Sequence, residues 1–405
     1  MSDSPGRPRK IAFVVHTFDV GGLERSVAIL ANRLDRSKFQ PLIVCMSRSG
    51  SAAGWIERDD VKILEIRKST GNDIVAVRRF AGMLREERPD IVHSHNWGTL
   101  AETVLARRWA GVPVHVHAER GTVMGTLERT GFRPRLRSRI MNWSLRRCTA
   151  VITNAENTSR RIADACGFPQ RRVTIVPNGV EVPRVSDPEA RHRLRRELGI
   201  PTDAFVVGSV GRLVGVKNFT LAIDALCQPA LRPHAAHLIL VGTGVEQARL
   251  SAFAAEREIA NRVHLVGPQS NIGDWLLAMD AYVNTSLSEG MSQSIVEAMA
   301  AGLPLVVTDV GDNAVLAGGA AGGSVVPSGN AAALSGCLAE LAARPSLRQQ
   351  RSDASKARYA ENYDIGRMVS EYEAFYDSLI GRPAATGSAA APHAAFVREE
   401  TLAAG

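Results

Sequence analysis

Two glutamates eight positions apart, Glu289 and Glu297, bracket a short apolar run in SEGMSQSIVEAMAAGLP, residues 288–304. A continuous helix between them would set their backbones about 12 Å apart and turn them about 80° out of line. The acid/base pairs that cleave glycosidic bonds stand roughly 5–5.5 Å or 6.5–9.5 Å apart. Two carboxylates at this longer interval suit separate parts of one extended ligand. Gly290 and Ser292 put the helix start near 292–294, leaving Glu289 in the preceding loop and Glu297 in the first helical turns. The free N–H groups of such a helix start attract an anion. A second reading stays open, because Ser294-Ile-Val-Glu297 also has the spacing of a capping box, in which Glu297 only satisfies a backbone donor.

Cations accompany these acids. GRLVGVKN (211–218) follows the apolar run FVVGSV, with Gly211 and Gly215 keeping the backbone open. Arg212 offers a bidentate fork and Lys217 a point charge, a pair that suits a diphosphate; an exposed basic loop has the same look. In DVGGLERSVAILANRL, Gly21 and Gly22 permit close backbone approach to a phosphate or sugar, or make a plain turn. In HSHNWGT (93–99), His93 and His95 share a face if the strand continues. No further ligand stands at zinc spacing, which leaves a hydrogen-bonding histidine at a cleft edge or a structural one. Glu119 and Arg120, in VHAERGTVMG (116–125), are expected exposed at a strand end, facing a substrate or pairing with each other. The stretch 129–147 carries seven arginines and no acid, with Leu136, Ile140 and Trp143 spaced i, i+4, i+7. That fits an interfacial amphipathic helix. It also fits a helix packed on its own domain, and the packed helix is the expectation, with its arginines free to attract an anionic surface. No D-x-D offers a clamp for a metal-bound diphosphate, and Gly242-Thr-Gly244 stops short of a dinucleotide fingerprint.

Short β-branched runs recur along the chain, from IAFVV (11–15) to VTIV (173–176) and again from FVVGSVG (205–211) to GSVVP (323–327), separated by stretches of helical spacing. Apolar strands without strict alternation belong in parallel sheets buried on both faces, and their alternation with helices means βαβ units. The chain therefore reads as α/β, with two facing Rossmann-like doubly wound domains. The first covers 1–180 and the second 188–364, joined by the proline-rich linker 177–190. Helix 365–380 is expected to pack back on the first domain, and the Ala-rich 381–405 to be a disordered tail. Open sheets of this kind bind ligands beyond the C-terminal ends of their strands, so facing domains would make a cleft lined by loops from both.

Bulk composition agrees. Hydrophobic residues make up 45% and charged residues 22%, as in an ordinary soluble protein. Residues 1–180 hold 30 Lys and Arg against 17 Asp and Glu, whereas the remainder holds 19 against 24. A basic half suggests an anionic partner: lipid headgroups, an anionic acceptor or nucleic acid. The low aromatic content, 5%, and the lack of an aromatic-basic repeat argue against nucleic acid. Five scattered cysteines make no C-x-x-C pair, and the first apolar run is too short for a signal peptide or spanning helix. A cytoplasmic protein is expected.

In order along the chain, DVGGLE, DIVHSHN, PNGV, GRLVGVKN, LVGTG, VHLVG and SEGMSQSIVEAMAAGLPLVVTDVG resemble retaining glycosyltransferases of family 4, which have the GT-B fold. The resemblance covers residues 10–380, and the E-x7-E segment is its most specific part. It is strongest toward bacterial sugar transferases of exopolysaccharide and capsule pathways. By that resemblance Glu297 binds the ribose hydroxyls of a nucleotide sugar, UDP- or GDP-linked, and Glu289 contacts hydroxyls of the donor sugar. Arg212 and Lys217 neutralise the diphosphate, and amides at Gly290, Met291, Ser292 and Gly22 add donors. His95 reaches the donor sugar, and the base stacks around Val266, Gly267 and Pro268. The resemblance further implies retention through same-face attack, with no metal and no cofactor, and a glycan or lipid-linked acceptor met near Glu119 and Arg120. Asn218 stands where a glycine often follows the lysine, and Glu181 where an aspartate is frequent after PNGV. A non-transferring relative such as a sugar-nucleotide epimerase is the rival within enzymes, and a basic membrane-peripheral binding protein the rival outside them. The protein would act in the cytoplasm, peripheral at the inner face of the membrane.

Overall fold

The computed structural model describes residues 7–69, 71, 73–120, 132–318 and 322–380. The chain divides into two compact units, one of 1–177 with 369–405 and one of 178–368.

The first unit runs β1 (Arg9–Val15), α1 (Gly22–Arg33), β2 (Phe39–Cys45), β3 (Lys62–Glu65), α2 (Ile74–Glu87), β4 (Ile91–His95), α3 (Trp97–Ala110), β5 (Val114–Glu119), α4 (Phe132–Leu145), β6 (Ala150–Thr153), α5 (Glu156–Cys166) and β7 (Val173–Ile175). Its seven strands are parallel in the order β3-β2-β1-β4-β5-β6-β7. The second runs α6 (Ala190–Glu197), β8 (Val206–Val210), α7 (Phe219–Cys227), β9 (His237–Val241), α8 (Gln247–Glu256), β10 (Val263–Leu265), α9 (Ile272–Leu277), β11 (Ala281–Asn284), α10 (Gln293–Ala300), β12 (Leu305–Thr308), α11 (Asn313–Ala317), β13 (Gly323–Val326), α12 (Ala331–Ala343) and α13 (Pro345–Asn362). Its six strands are parallel in the order β10-β9-β8-β11-β12-β13. A last helix, α14 (Ile365–Leu379), begins in the second unit and from Val369 belongs to the first.

The central strands of the second unit, β8, β9, β11 and β12, each feed two cores. On β9, Leu238 and Leu240 pack with Phe219 and Leu334, whereas Ile239 and Val241 pack with Tyr282 and Ile295 on the other face. Burial on both faces is why these runs are continuously apolar. In both sheets the strand order reverses once, between β1 and β4 and between β8 and β11. Loops leaving adjacent strands there go to opposite faces, which opens a crevice at the C-terminal strand ends. The second unit's crevice is flanked by residues 211–218 after β8 and 285–292 after β11.

Among the described residues no helix is long and apolar enough to cross a membrane, and no group of three metal-binding side chains is assembled.

Candidate functional site

The loops after β8 and β11 are stitched together by their backbones. Leu287 N donates to Val216 O at 2.8 Å, and Thr285 Oγ1 donates to Lys217 O at 2.9 Å. This brings Lys217 Nζ to 2.6 Å from Glu289 Oε1. The same carboxylate oxygen accepts from Ser286 Oγ at 2.7 Å and faces Asn284 Nδ2 at 3.4 Å. Asn284 is held from beneath by Asn313 Nδ2, which also reaches Thr308 O, both at 3.1 Å. Glu289 thus rests on a buried floor of amides and hydroxyls, and these groups orient it together with the lysine.

Helix α10 starts next. Ser292 is its N-cap, with extended backbone and no side-chain cap hydrogen bond. Ser294 is then the second helical residue and Glu297 the fifth, so the capping-box reading of Glu297 falls. The helix start is too far from Glu297 along the chain for that reciprocal bond. Glu297 is half-buried on the helix, near enough to the Tyr282 phenol to help raise it; burial is the main cause, and the phenol is pushed up to about 12. The Gly290 carbonyl accepts from Asp312 N at 3.2 Å, and Gly311, at φ +57°, lies where a Cβ would overlap the Glu289 carbonyl. Met291 points inward, its sulfur accepting from Asn178 N.

Arg212 is exposed on the same loop as Lys217, and no ion pair involves it among the described residues. Behind it, Gly242 (φ +139°) packs directly on the Gly211 carbonyl and donates its N–H to Gly267 O at 2.9 Å. Gly244 packs likewise on the Leu213 backbone. These glycines bring three strand-end loops into contact. Gly267 (φ +73°) has open space where a Cβ would be, and the Val266 carbonyl is taken by Gln269. A cavity of about 650 Å³ in this unit opens at the other ends of the strands, around Arg191, Arg195, Phe205 and Asp280. It shares no residue with the loops above, and Asp280 already holds both arginines.

In the first unit, Gly21 is the N-cap of α1 with extended backbone, and Gly22 opens the helix. The Glu24 carboxylate folds back over Gly21, where a Cβ would collide with it. His93 and His95 stack at 4.2 Å between ring centres, as same-face neighbours on β4 must. His93 Nδ1 lies 2.7 Å from the Tyr376 hydroxyl, and His95 Nδ1 lies 3.1 Å from Val14 O. A carbonyl only accepts, so His95 Nδ1 carries the proton and Nε2 keeps its lone pair. That Nε2 is buried with no partner among the described residues. Burial holds both histidines well below the usual imidazole range, with neighbouring cations adding to it, so both are neutral.

Glu119 and Arg120 are not exposed as expected: they are 1% and 8% accessible. Two features cover them. Arg120 donates to the Tyr372 hydroxyl on α14, and its backbone N–H donates to Asn96 Oδ1 at 2.9 Å. Glu119 ends a buried polar chain in which Ser94 Oγ lies 2.8 Å from both His115 Nε2 and His117 Nδ1, and His117 Nε2 lies 3.4 Å from Glu119 Oε2. The cover that Tyr372 of α14 gives Arg120 and this histidine chain were missed from the sequence. His115, His117 and Glu119 do alternate along VHVHAE, so a period-two reading of that strand would have put them on one face.

The stretch 129–147 also differs from expectation. Residues 121–131 lie outside those described, but on α4 the core-facing residues are Met141 and Leu145, with Ser138 and Asn142 bonded to the Ala165 and Cys166 carbonyls. Leu136, Ile140 and Trp143 are exposed. The apolar stripe was assigned inward because it was apolar, whereas hydrogen bonds to the end of α5 help to set the inward face.

Comparison with known proteins identifies the architecture. The family described as Glycosyltransferase Family 4 matches residues 20–184, and that described as Glycosyl transferases group 1 matches residues 190–358. A 2-deoxystreptamine glucosyltransferase of Streptomyces kanamyceticus is 28% identical over 295 residues, 71% of this chain and 76% of that protein. The Escherichia coli UDP-Gal:alpha-D-GlcNAc-diphosphoundecaprenol alpha-1,3-galactosyltransferase is 26% identical over 315 residues, 75% and 80% of the two chains. Among solved structures, Anabaena HepE in complex with UDP and glucose superposes with a TM-score of 0.76 at 22% identity, over 91% of this chain and all of that one. Two parallel sheets with strand-end loops at their reversal points, matched along both halves, make this chain a glycosyltransferase of family 4 with the GT-B fold.

Proposed function

We propose that this enzyme transfers a sugar from a nucleoside-diphosphate sugar to a lipid-linked glycan acceptor, with retention and without a metal. The observation that carries the donor reading is the Lys217–Glu289 pair, 2.6 Å apart at the β8/β11 reversal beside the start of α10. Lys217 and Arg212 would meet the diphosphate, joined by the amides of Gly290, Met291 and Ser292. Glu297, on the helix itself, would take the ribose, and Glu289 the donor sugar. The segment at Val266 and Gly267 would lie against the base. HepE, solved with UDP and glucose, supports the donor class, and the diphosphoundecaprenol named for the Escherichia coli relative supports the acceptor class.

In the reaction the bond from the anomeric carbon to the phosphate oxygen breaks while the acceptor oxygen bonds on the same face. The acceptor proton passes to the departing phosphate oxygen. Positive charge develops on the sugar and negative charge on the phosphate, and fixed cations and helix amides stabilise the latter more in the transition state than before it. Arg212 and Lys217 thus do what a divalent ion would otherwise do. Glu119 and Arg120 are buried at the end of β5, so they would support an acceptor surface rather than form it. A role in bacterial surface-polysaccharide assembly, at the inner face of the membrane, follows from the acceptor reading.

The test is direct. Lys217→Ala and Glu297→Ala should each weaken nucleotide binding in calorimetry and lower turnover at least about tenfold. Product should form in excess EDTA with the donor's anomeric configuration. Wild-type affinity in both variants, or activity that vanishes in EDTA and returns with magnesium, overturns the assignment.

A further inference from the structure

Helix α4 has two apolar faces, and only one is used. Ser138, Met141, Asn142 and Leu145 face the unit's core and α5. Leu136, Ile140 and Trp143 lie about half a turn away around the helix at 100° per residue. They are 46%, 36% and 41% exposed. Three large apolar side chains in one stripe are not what a solvated helix face carries.

The charge around that stripe is of one sign. Arg135, Arg137, Arg139, Arg146 and Arg147 are all exposed, and α4 has no acidic residue. None of the five is in an ion pair among the described residues; Arg146 donates to Asn142 Oδ1 at 2.6 Å and Arg147 lies 3.9 Å over the Trp143 ring. At 100° per residue, Arg139, Arg146 and Arg135 follow one edge of the stripe and Arg137 the other. We propose that this face of α4 docks the enzyme on an anionic lipid surface. Leu136, Ile140 and Trp143 enter the acyl boundary, and the arginine stems lie along it with their guanidinium groups at the lipid phosphates. A second copy of the chain is a poor occupant, since it would bring five like charges against five. A nucleic acid would use the arginines and leave the stripe wet. The inference deepens the acceptor reading, because an enzyme held at the bilayer meets a lipid-linked acceptor in two dimensions.

Vesicle flotation of the full chain tests it. Wild-type protein should float with vesicles of equal parts phosphatidylglycerol and phosphatidylcholine, weakly with phosphatidylcholine alone, and less as salt rises. Ile140→Glu/Trp143→Glu should lower partition at least about tenfold, and each charge reversal at Arg135 or Arg139 on the order of fivefold or more. Trp143→Phe should keep most of it. All these positions are exposed, so melting temperature and nucleotide affinity should not move; if the glutamate pair melts early, Ile140→Ser/Trp143→Ser carries the same prediction. Absence of wild-type flotation, or flotation indifferent to these substitutions, overturns the docking face. So does loss of self-association or of nucleic-acid binding in the variants while vesicles are ignored. Each of these results leaves donor binding intact, so failure here is distinct from failure of the transferase reading.

Discussion

Lys217 and Glu289 should be energetically coupled in nucleotide binding, and the structure gives the size. With Nζ 2.6 Å from Oε1 and side chains 20% and 12% exposed, the lysine is shared between the carboxylate and any incoming phosphate. Its gross attraction to a phosphate at 4 Å is about 4 kcal/mol at an effective dielectric of 20. A charge-assisted contact nets about 1.5–3 kcal/mol after desolvation, so Lys217→Met should weaken a nucleoside diphosphate by about 10- to 150-fold. Part of that loss comes from leaving the Glu289 carboxylate beside the phosphates without the lysine to offset it. In a Glu289→Gln background that penalty is gone, and the same lysine substitution should cost about 1–2 kcal/mol less. Calorimetry with UDP and GDP, without a sugar, measures the four affinities of the cycle and keeps the sugar contact of Glu289 out of the comparison. Costs equal within about 0.5 kcal/mol in the two backgrounds, or no loss for Lys217→Met alone, would refute a phosphate seat at this pair.

Three further outcomes concern the frame around the site. Gly242→Ala places a Cβ against the Gly211 carbonyl at φ +139°. It should cost about 2 kcal/mol or more, a fall of about 4–8 °C in the melting temperature of a unit this size; an unchanged melt contradicts the packing argument. Tyr376→Phe removes a buried partner from His93 and should cost about 1–3 kcal/mol in urea unfolding, with the midpoint lowered and the slope kept. Stability should also depend on pH. His93, His95 and His115 are depressed by burial below 6.5, so the unfolded chain binds more protons than the folded one. Their contribution is complete above about pH 6.5 and is lost as pH falls below it, by about 1.4 kcal/mol per pH unit for each histidine that stays neutral when folded. Urea midpoints that stay level from about pH 7 to pH 5 would contradict neutral buried imidazoles.

Much of this was readable from residue types. Buried parallel strands announce themselves as apolar β-branched runs, so VVGSV and AYVN were identifiable as β8 and β11, and the chemistry-bearing residues sit just after them. The break at Gly290 and Ser292 was enough to start α10 correctly, because a helix needs a non-helical residue before it. Three things were not readable. The capping-box alternative for Glu297 depended on a helix start two residues later than the real one, an error inside the normal uncertainty of helix ends. Glu119 and Arg120 looked exposed because strand ends usually are; their cover includes Tyr372, some 250 residues on, and no local pattern encodes that. The stripe on α4 was assigned to the core because periodicity shows which residues share a face but not which way the face points. Polar bonds from Ser138 and Asn142 to α5 help to set that direction, and they are tertiary.

The central claim is that the phosphates of a nucleotide sugar sit at the β8/β11 reversal. A crystal structure of the chain with a tightly bound UDP- or GDP-sugar tests it most directly. The account predicts phosphate oxygens within hydrogen-bond distance of Lys217 Nζ and the amides of residues 290–292, with both ribose hydroxyls on Glu297. Nucleotide density elsewhere, with Lys217 still paired only to Glu289 and the start of α10 empty, would contradict it.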